Sequence, residues 1–528
     1  MSGAPGRPNV LLIQADQFRW DCLGSAGHPD VRTPHLDRLA ADGVRYPDAY
    51  CPLPICTPSR YSLLSGLYPH QHGGWTNHCT LAPGLDTFPR ALRRAGYRTA
   101  GVGKMHFTPT YLDVGYDRLT LAEQHGPGRY DDDYHRELRA AGLAPVLDLL
   151  DQEEHLRPLA PASYWASYGT GRSDLPEEWH STTWIGERAL DELAGWSDAA
   201  DGEGRLLHVS FIKPHHPFDP PAPWDELYDP AALTLPPGWT ERVPAADLPH
   251  ESGYFDYGDG LDEPVLRRVL AHYYATITQL DHQVGRLLDR LHDQGLYDDT
   301  LIIFTADHGE YLGFHHLLLK NGPMYDPLVK VPLLVKFPTP PGTGRAGAPA
   351  RPPARRGETS GALVSLVDLA PTIVSVCGAG PLTTSPPAPG LDLSDPAADR
   401  ACVFAENRTF GPMVMARTRT HKLLLNGDQE GGRDGARDAL FDLAADPQEL
   451  DNRIDDPGSA EVLGELRAAL TRWALFDTPV PTCLDEDAPR VHAPNVPPAD
   501  PARRAEHRAY FDAQVRRAAP APTAPIEP

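Results

Sequence analysis

Long apolar runs are missing from this 528-residue chain. No uninterrupted stretch approaches the roughly 20 residues that a membrane-spanning helix needs. The opening segment, Met1 to Pro8, is polar, lacks the apolar centre of a secretory leader and runs straight into a strand-like segment. The expectation is a cytoplasmic protein with no membrane partner. Cysteine is scarce as well: seven residues, an odd number, lie scattered at positions 22, 51, 56, 79, 377, 402 and 483. That spacing requires no disulfide framework and matches no paired metal finger. Positive charge is in deficit, with 48 Lys and Arg against 72 Asp and Glu and a net charge of −24. General binding to nucleic acid or to an anionic membrane is thereby disfavoured. An anionic substrate would need positive charge gathered locally.

Proline is abundant: 57 residues, about twice ordinary usage, imply many loops and one disordered stretch. A hydrophobic share of 41% and a charged share of 23% are ordinary for a globular chain. The length calls for one large domain and a smaller one.

Along the chain, apolar β-type runs repeatedly stop at a polar residue able to do chemistry. Val10 to Ala15 stops at Asp16-Gln17, Tyr97 to Gly103 at Lys104-Met105-His106, Leu206 to Ile212 at Lys213-Pro214-His215, and Leu301 to Ala306 at Asp307-His308. Helical patterns lie between them, including Thr33 to Ala40 and an amphipathic stretch from about Val269 to His292. Residues 110–205 read as insertions over the sheet edge. The alternation predicts an α/β fold with a large, mostly parallel sheet covered by helices on both faces. Ligands of such sheets bind at the carboxyl ends of the strands. Asp16, Lys104, His215 and Asp307 should therefore converge on one edge.

A further stretch, Cys56-Thr57-Pro58-Ser59-Arg60 running to Gly66, reads as a loop entering a short helix. A cysteine beside a helix N-terminus meets free N–H groups and is acidified. Arg60 lies one turn on. Asp16 and Asp307, each with a second donor beside it in Gln17 and His308, suit a hard divalent cation.

Cys-x-Pro-Ser-Arg resembles the core signature of the type I sulfatases, of the alkaline-phosphatase-like superfamily. Gly103-Lys104-Met105-His106, Lys213-Pro214-His215 and Asp307-His308-Gly309-Glu310 through His315 to Lys320 resemble that family's further motifs, in order. The resemblance implies that Cys56 is oxidised to Cα-formylglycine by a formylglycine-generating enzyme. It implies one cation held by Asp16, Gln17, Asp307, His308 and residue 56. Ca²⁺ is the first expectation; Gln17 in place of an acid, and the nitrogen of His308, bring Mn²⁺ in beside it, with Mg²⁺ a further alternative.

The implied catalytic set is Cys56, Arg60, Lys104, His106, His215 and Lys320. The hydrated aldehyde attacks sulfur, and Arg60, Lys104 and Lys320 neutralise the sulfate oxygens. His215 or Lys320 protonates the departing alcohol, and His106 removes the proton whose loss expels sulfate. The substrate expected is a sugar, aryl or small-molecule sulfate ester. A phosphonate monoester or phosphodiester hydrolase of the same superfamily is the alternative, and an unconverted anion-binding pseudoenzyme a third reading.

The expected domains are a catalytic domain at 8–358, a small C-terminal α+β domain with an antiparallel sheet at 359–484, and a Pro/Ala-rich tail at 485–528. The small domain resembles that of sulfatases in Leu440-Phe441-Asp442-Leu443 and Asp446-Pro447-Gln448-Glu449. The tail is expected to be disordered or to wrap a neighbouring subunit in a homo-oligomer. Trp75, Asn77, His78, Tyr164, Trp165 and Trp184 are candidates for the pocket mouth. His70, Gln71 and His72 read as structural.

Overall fold

The computed structural model describes residues 7–125, 129–197, 203–244, 247, 261–320, 322–339, 355–408, 412–427, 438–481 and 501–518. Its strands are β1 Asn9–Asp16, β2 Val44–Arg45, β3 Ala49–Tyr50, β4 Arg98–Gly103, β5 Arg118–Leu121, β6 Arg205–Pro214 and β7 Thr300–Ala306. They continue as β8 Leu333–Lys336, β9 Glu358–Thr359, β10 Val364–Ser365, β11 Val403–Asn407, β12 Met413–Arg417, β13 His421–Asn426 and β14 Ala439–Asp442.

The large sheet has the order β5-β4-β6-β1-β7-β8-β2-β9. Its first five strands are mutually parallel, and β8 runs antiparallel to both β7 and β2. Every residue of β1 and β7 is buried. Such strands must be covered on both faces, which is why they read as unbroken apolar runs. Helices Ser181–Ala194 and Glu263–Asp293 pack on each other and on β6. A second group, Cys56–Ser65, Phe88–Arg94 and Leu369–Val376, packs together and reaches the sheet at β4. Among the described residues no helix is long and apolar enough to cross a membrane.

Two expectations about organisation are corrected. The boundary at 358 falls inside β9, and β10 pairs with β3. Val364, Leu369, Ile373 and Val376 belong to the main hydrophobic core. The large layer therefore continues past 358, through β10 and helix Leu369–Val376. The second correction concerns the tail. Residues 482–500 and 519–528 lie outside the described residues, but Pro501–Ala518 is a helix. It packs on its own chain through Phe511 and Val515, against Tyr130, Leu149, Leu150 and Leu156. His507, Phe511 and Val515 are the buried residues of this helix, spaced four apart on one face. Pro and Ala content masked that stripe.

The small domain is a four-stranded antiparallel sheet, β11-β12-β13-β14, with helix Ala460–Arg472 against it. A buried charge cluster joins it to the large domain. Lys422 of β13, with a fully buried side chain, lies 2.6 Å from Asp326 and 2.7 Å from Glu449, the last residue of the Asp-Pro-x-Glu close. Lys422→Met would leave Glu449 buried without its cation. The expected loss is about 3–5 kcal/mol of unfolding free energy, measurable by urea titration of the full-length chain.

Candidate active site

Strands β4, β6, β1 and β7 lie side by side, and each ends on the same edge. Neighbouring strands are about 4.8 Å apart. The residues that terminate these four, Lys104, His215, Asp16 and Asp307, are therefore delivered to one short row. The approach is tight enough to dictate glycines. Gly103 has φ +97°, and a Cβ there would lie 2.0 Å from the Ser210 carbonyl oxygen. At Gly309 a Cβ would lie 2.0 Å from the Pro327 carbonyl oxygen.

Helix Cys56–Ser65 lays its first residue over this row. Cys56 is itself the first helical residue, with Ile55 in extended conformation before it and Gly66 in the left-handed region closing the other end. Its Sγ, 2.9 Å from Lys320 Nζ, 3.4 Å from His308 Nε2 and 3.7 Å from Asp16 Oδ1, marks where the oxygens of a formylglycine hydrate would lie. Burial and Asp16 push this thiol up, but Lys320, Lys104 and His308 outweigh them and bring it down to about 6.

Asp16 and Asp307 are fully buried, and their oxygens divide the work. Arg60 donates to Asp16 Oδ2 at 3.0 Å and to Asp307 Oδ2 at 3.0 Å, and also to the Lys104 carbonyl at 2.6 Å and Ser210 Oγ at 2.7 Å. Four of the five N–H groups of a guanidinium are thus committed by hydrogen bonds within the protein. Arg60 thereby holds the two carboxylates in place, a task that the expected contact with sulfate oxygens did not include. Asp16 Oδ2 also meets Lys104 Nζ at 2.8 Å. Burial raises the Asp16 pKa, yet Lys104, His215, Lys320 and Arg60 together hold it well below the usual carboxylate range.

Of the other oxygens, Asp16 Oδ1 faces residue 56, and Asp307 Oδ1 accepts from the Gln17 N–H at 3.1 Å and the His308 N–H at 2.9 Å. Asp16 Oδ1 and Asp307 Oδ1 each lie 3.8 Å from His308 Nε2. His308 Nδ1 is 2.9 Å from the Gly309 carbonyl. That contact places the proton on Nδ1 and leaves Nε2 as a lone-pair donor, the usual arrangement of a ligating histidine. One donor atom each from Asp16, Cys56, Asp307 and His308 falls within 4.8 Å of the others. Gln17, with φ +63°, points its Oε1 into a buried position without a hydrogen-bond partner, while its Nε2 donates to Glu310. A buried amide oxygen without a partner, beside two carboxylates and the Nε2 lone pair of His308, fits a divalent cation. Glu310 sets that orientation and was not identified from sequence; its place in the Asp-His-Gly-Glu string was the only signal.

The remaining groups complete the ring. Lys104 Nζ spends one further proton on Gln124 Oε1 at 3.2 Å. Lys320 Nζ meets His215 Nε2 and His308 Nε2, each at 3.1 Å. Burial works against its charge, but Cys56, Asp16 and Asp307 raise its pKa above the ordinary lysine value. His215 sends Nδ1 to the His216 carbonyl at 2.7 Å, and burial, then His216 and Lys320, keep its ring neutral. His106 has φ +55°, and neither ring nitrogen has a partner. Its backbone N–H is clamped by Glu123 Oε1 at 3.0 Å, and burial, then Lys104, hold the imidazole neutral. Gln124 and Glu123 carry no motif that sequence reading could use.

The substrate candidates separate. Asn77 Oδ1 accepts from Thr57 N at 3.1 Å, beside residue 56. Trp184 is buried and donates to Glu137 at 2.8 Å, and Tyr164 donates to Asp151, so both are packing residues. His70, Gln71 and His72 are structural, held by Glu406, Pro479 and Ser62.

A family model described as Sulfatase matches residues 8–379. The uncharacterized sulfatase YidJ of Escherichia coli K12 is 29% identical over 481 residues, covering 88% of this chain and 86% of that protein. An arylsulfatase of Clostridium perfringens is 27% identical over 495 residues, covering 88% and 94%. Among solved structures, the phosphonate monoester hydrolase of Agrobacterium radiobacter superposes with a TM-score of 0.70 at 26% identity, covering 89% of this chain and 96% of that one. With the family model matching residues 8–379 and the motifs meeting at one strand edge and the helix laid over it, the chain belongs to the sulfatase family and is a sulfuric ester hydrolase.

Proposed function

We propose that this protein hydrolyses an O-sulfate ester of a small molecule or saccharide to alcohol and inorganic sulfate, with residue 56 matured to Cα-formylglycine and one divalent cation in the site. The observation that carries the reading is the meeting of Asp16, Asp307, His308, Lys104, His215 and Lys320 around residue 56. Asp16 Oδ1, Asp307 Oδ1, Gln17 Oε1, His308 Nε2 and residue 56 would hold the cation; Ca²⁺ is the first choice, and the imidazole nitrogen admits Mn²⁺. When bound, the cation supplies positive charge to a sulfate oxygen and to the oxygen of residue 56. The hydrated aldehyde supplies the attacking hydroxyl and, in its second hydroxyl, a way to release sulfate that a plain Ser or Cys lacks.

The chain's own residues do the rest. Lys104, with one proton uncommitted, and Lys320 bind sulfate oxygens and stabilise the charge that grows on them. Lys320 is charged and touches a neutral His215, so either the amine or the imidazole behind it delivers a proton to the departing oxygen. His106, neutral and unpartnered, takes the proton from residue 56 that releases sulfate. Its fixed backbone keeps the ring aimed without a side-chain hydrogen bond.

The phosphonate monoester hydrolase reading rests on the structural likeness just given and on the Gln17–His308 pair. Lys104 and His106 favour the sulfatase reading.

Three results are expected. Mass spectrometry of the peptide carrying Cys56, from protein made with a formylglycine-generating enzyme, should show loss of sulfur and gain of an aldehyde; an intact thiol in active protein would falsify the mechanism. Turnover of an aryl sulfate should exceed that of the matching aryl phosphonate, and the opposite ranking would move the assignment to the second reading. Chelation should abolish turnover and lower the thermal midpoint. Ca²⁺ or Mn²⁺ at a thousand times its dissociation constant should restore about 4 kcal/mol of stability. Gln17→Ala should weaken that restoration, and an unchanged midpoint on chelation would remove the cation from the site.

A further inference from the structure

Helix Pro501–Ala518 lies beyond the residues matched by the family model, yet a chain of contacts runs from it to Lys104 and His215, at the β4–β6 end of the catalytic row. Phe511 and Val515 are fully buried and share a hydrophobic cluster with Leu149 and Leu150 that is separate from the main core. Leu149 and Leu150 belong to the short helix Val146–Gln152, which also carries Asp148 and Asp151. Asp148 Oδ1 accepts from Gln124 Nε2 at 2.9 Å, and Gln124 Oε1 accepts from Lys104 Nζ at 3.2 Å. Asp151 Oδ2 lies 3.2 Å from His216 Nε2. The His216 ring stacks on His215 with centroids 4.1 Å apart, and the His216 carbonyl takes the His215 Nδ1 proton. One carboxylate therefore holds the amide that shares Lys104, and the other holds the imidazole beneath His215.

A helix of seven residues cannot sustain itself in water and takes its stability from packing. The apolar face of Val146–Gln152 is packed by the C-terminal helix. Arg508 on that helix pairs with Glu153 at 3.2 Å, and Glu506 with Arg139 at 2.9 Å. These exposed pairs add little. Phe511 and Val515 carry the attachment.

We propose that helix Pro501–Ala518 is a positioning element of the active site, fixing His215 and Lys104 through Asp151 and Asp148 of the helix it covers. The inference rests on the sulfate-ester reading, in which the His215–Lys320 pair protonates the leaving oxygen. Moving His215 away from that oxygen weakens protonation, and the loss grows with the basicity of the departing group. A variant that merely lowers the folded fraction slows every substrate by one common factor. The two effects differ in kind.

The test uses full-length, matured protein and a series of aryl sulfates whose phenols run from strongly to weakly acidic. For Phe511→Ala, kcat/KM should fall on the order of tenfold for the most basic leaving group and by about twofold or less for the most acidic. Phe511→Leu should restore most of the loss. Asp151→Asn, which leaves the helix contact intact, should give the same leaving-group dependence, so the inference stands or falls even if the alanine variant does not fold. A uniform loss across the series, or none, in Asp151→Asn overturns it, as does a uniform loss in a folded Phe511→Ala. Absence of sulfate-ester turnover in the wild-type chain overturns the proposed function itself, and this inference with it.

Discussion

Two carboxylates sealed from water beside one another cannot both stay ionised unless a cation is built in with them. Arg60 is that cation. It bridges Asp16 and Asp307 with donors at 3.0 Å and sits with a side chain 3% exposed. The geometry assigns each carboxylate oxygen a task. The Oδ2 atoms are neutralised by Arg60, Asp16 Oδ1 faces residue 56, and Asp307 Oδ1 accepts the backbone N–H groups of Gln17 and His308. The signature helix thus contributes two things at once, the reactive residue at its start and, one turn later, the charge that allows the reactive residue to have acidic neighbours.

From that constraint the electrostatics of the row follow. Lys104 can share Asp16 without overcharging it, because Arg60 is divided between two acids. Lys320 stays protonated among the acids and the thiol, while His215 and His106, equally buried but without a carboxylate of their own, stay neutral. A charged amine beside neutral imidazoles is what proton delivery and proton removal in one cavity require.

Much of this was legible in the chain because buried parallel strands write themselves as apolar runs, and β1, β6 and β7 stop at the residues that matter. Sequence gives the order of such residues and not the direction in which a side chain points, which is why the hold of Arg60 on the two carboxylates was not legible. Glu310, Gln124 and Glu123 act from irregular segments that leave no periodicity to read. The boundary at 358 was misplaced because residues 338–357 are rich in Pro and Gly and look like a linker, even though β10 returns to pair with β3. The tail was misjudged for a related reason: composition dominated the three-position stripe of His507, Phe511 and Val515.

The separation between Cys56 and His308 is 252 positions. At a synthesis rate of about 5–20 residues per second, that distance takes about 13 to 50 seconds to emerge from a ribosome. Throughout that interval the signature segment has neither β7 nor the Asp307 carboxylate against which to close. The cysteine that ends up 1% exposed therefore spends the first part of its existence uncovered. Any enzyme that must oxidise it has its opening in the nascent chain, before the last strand of the row arrives.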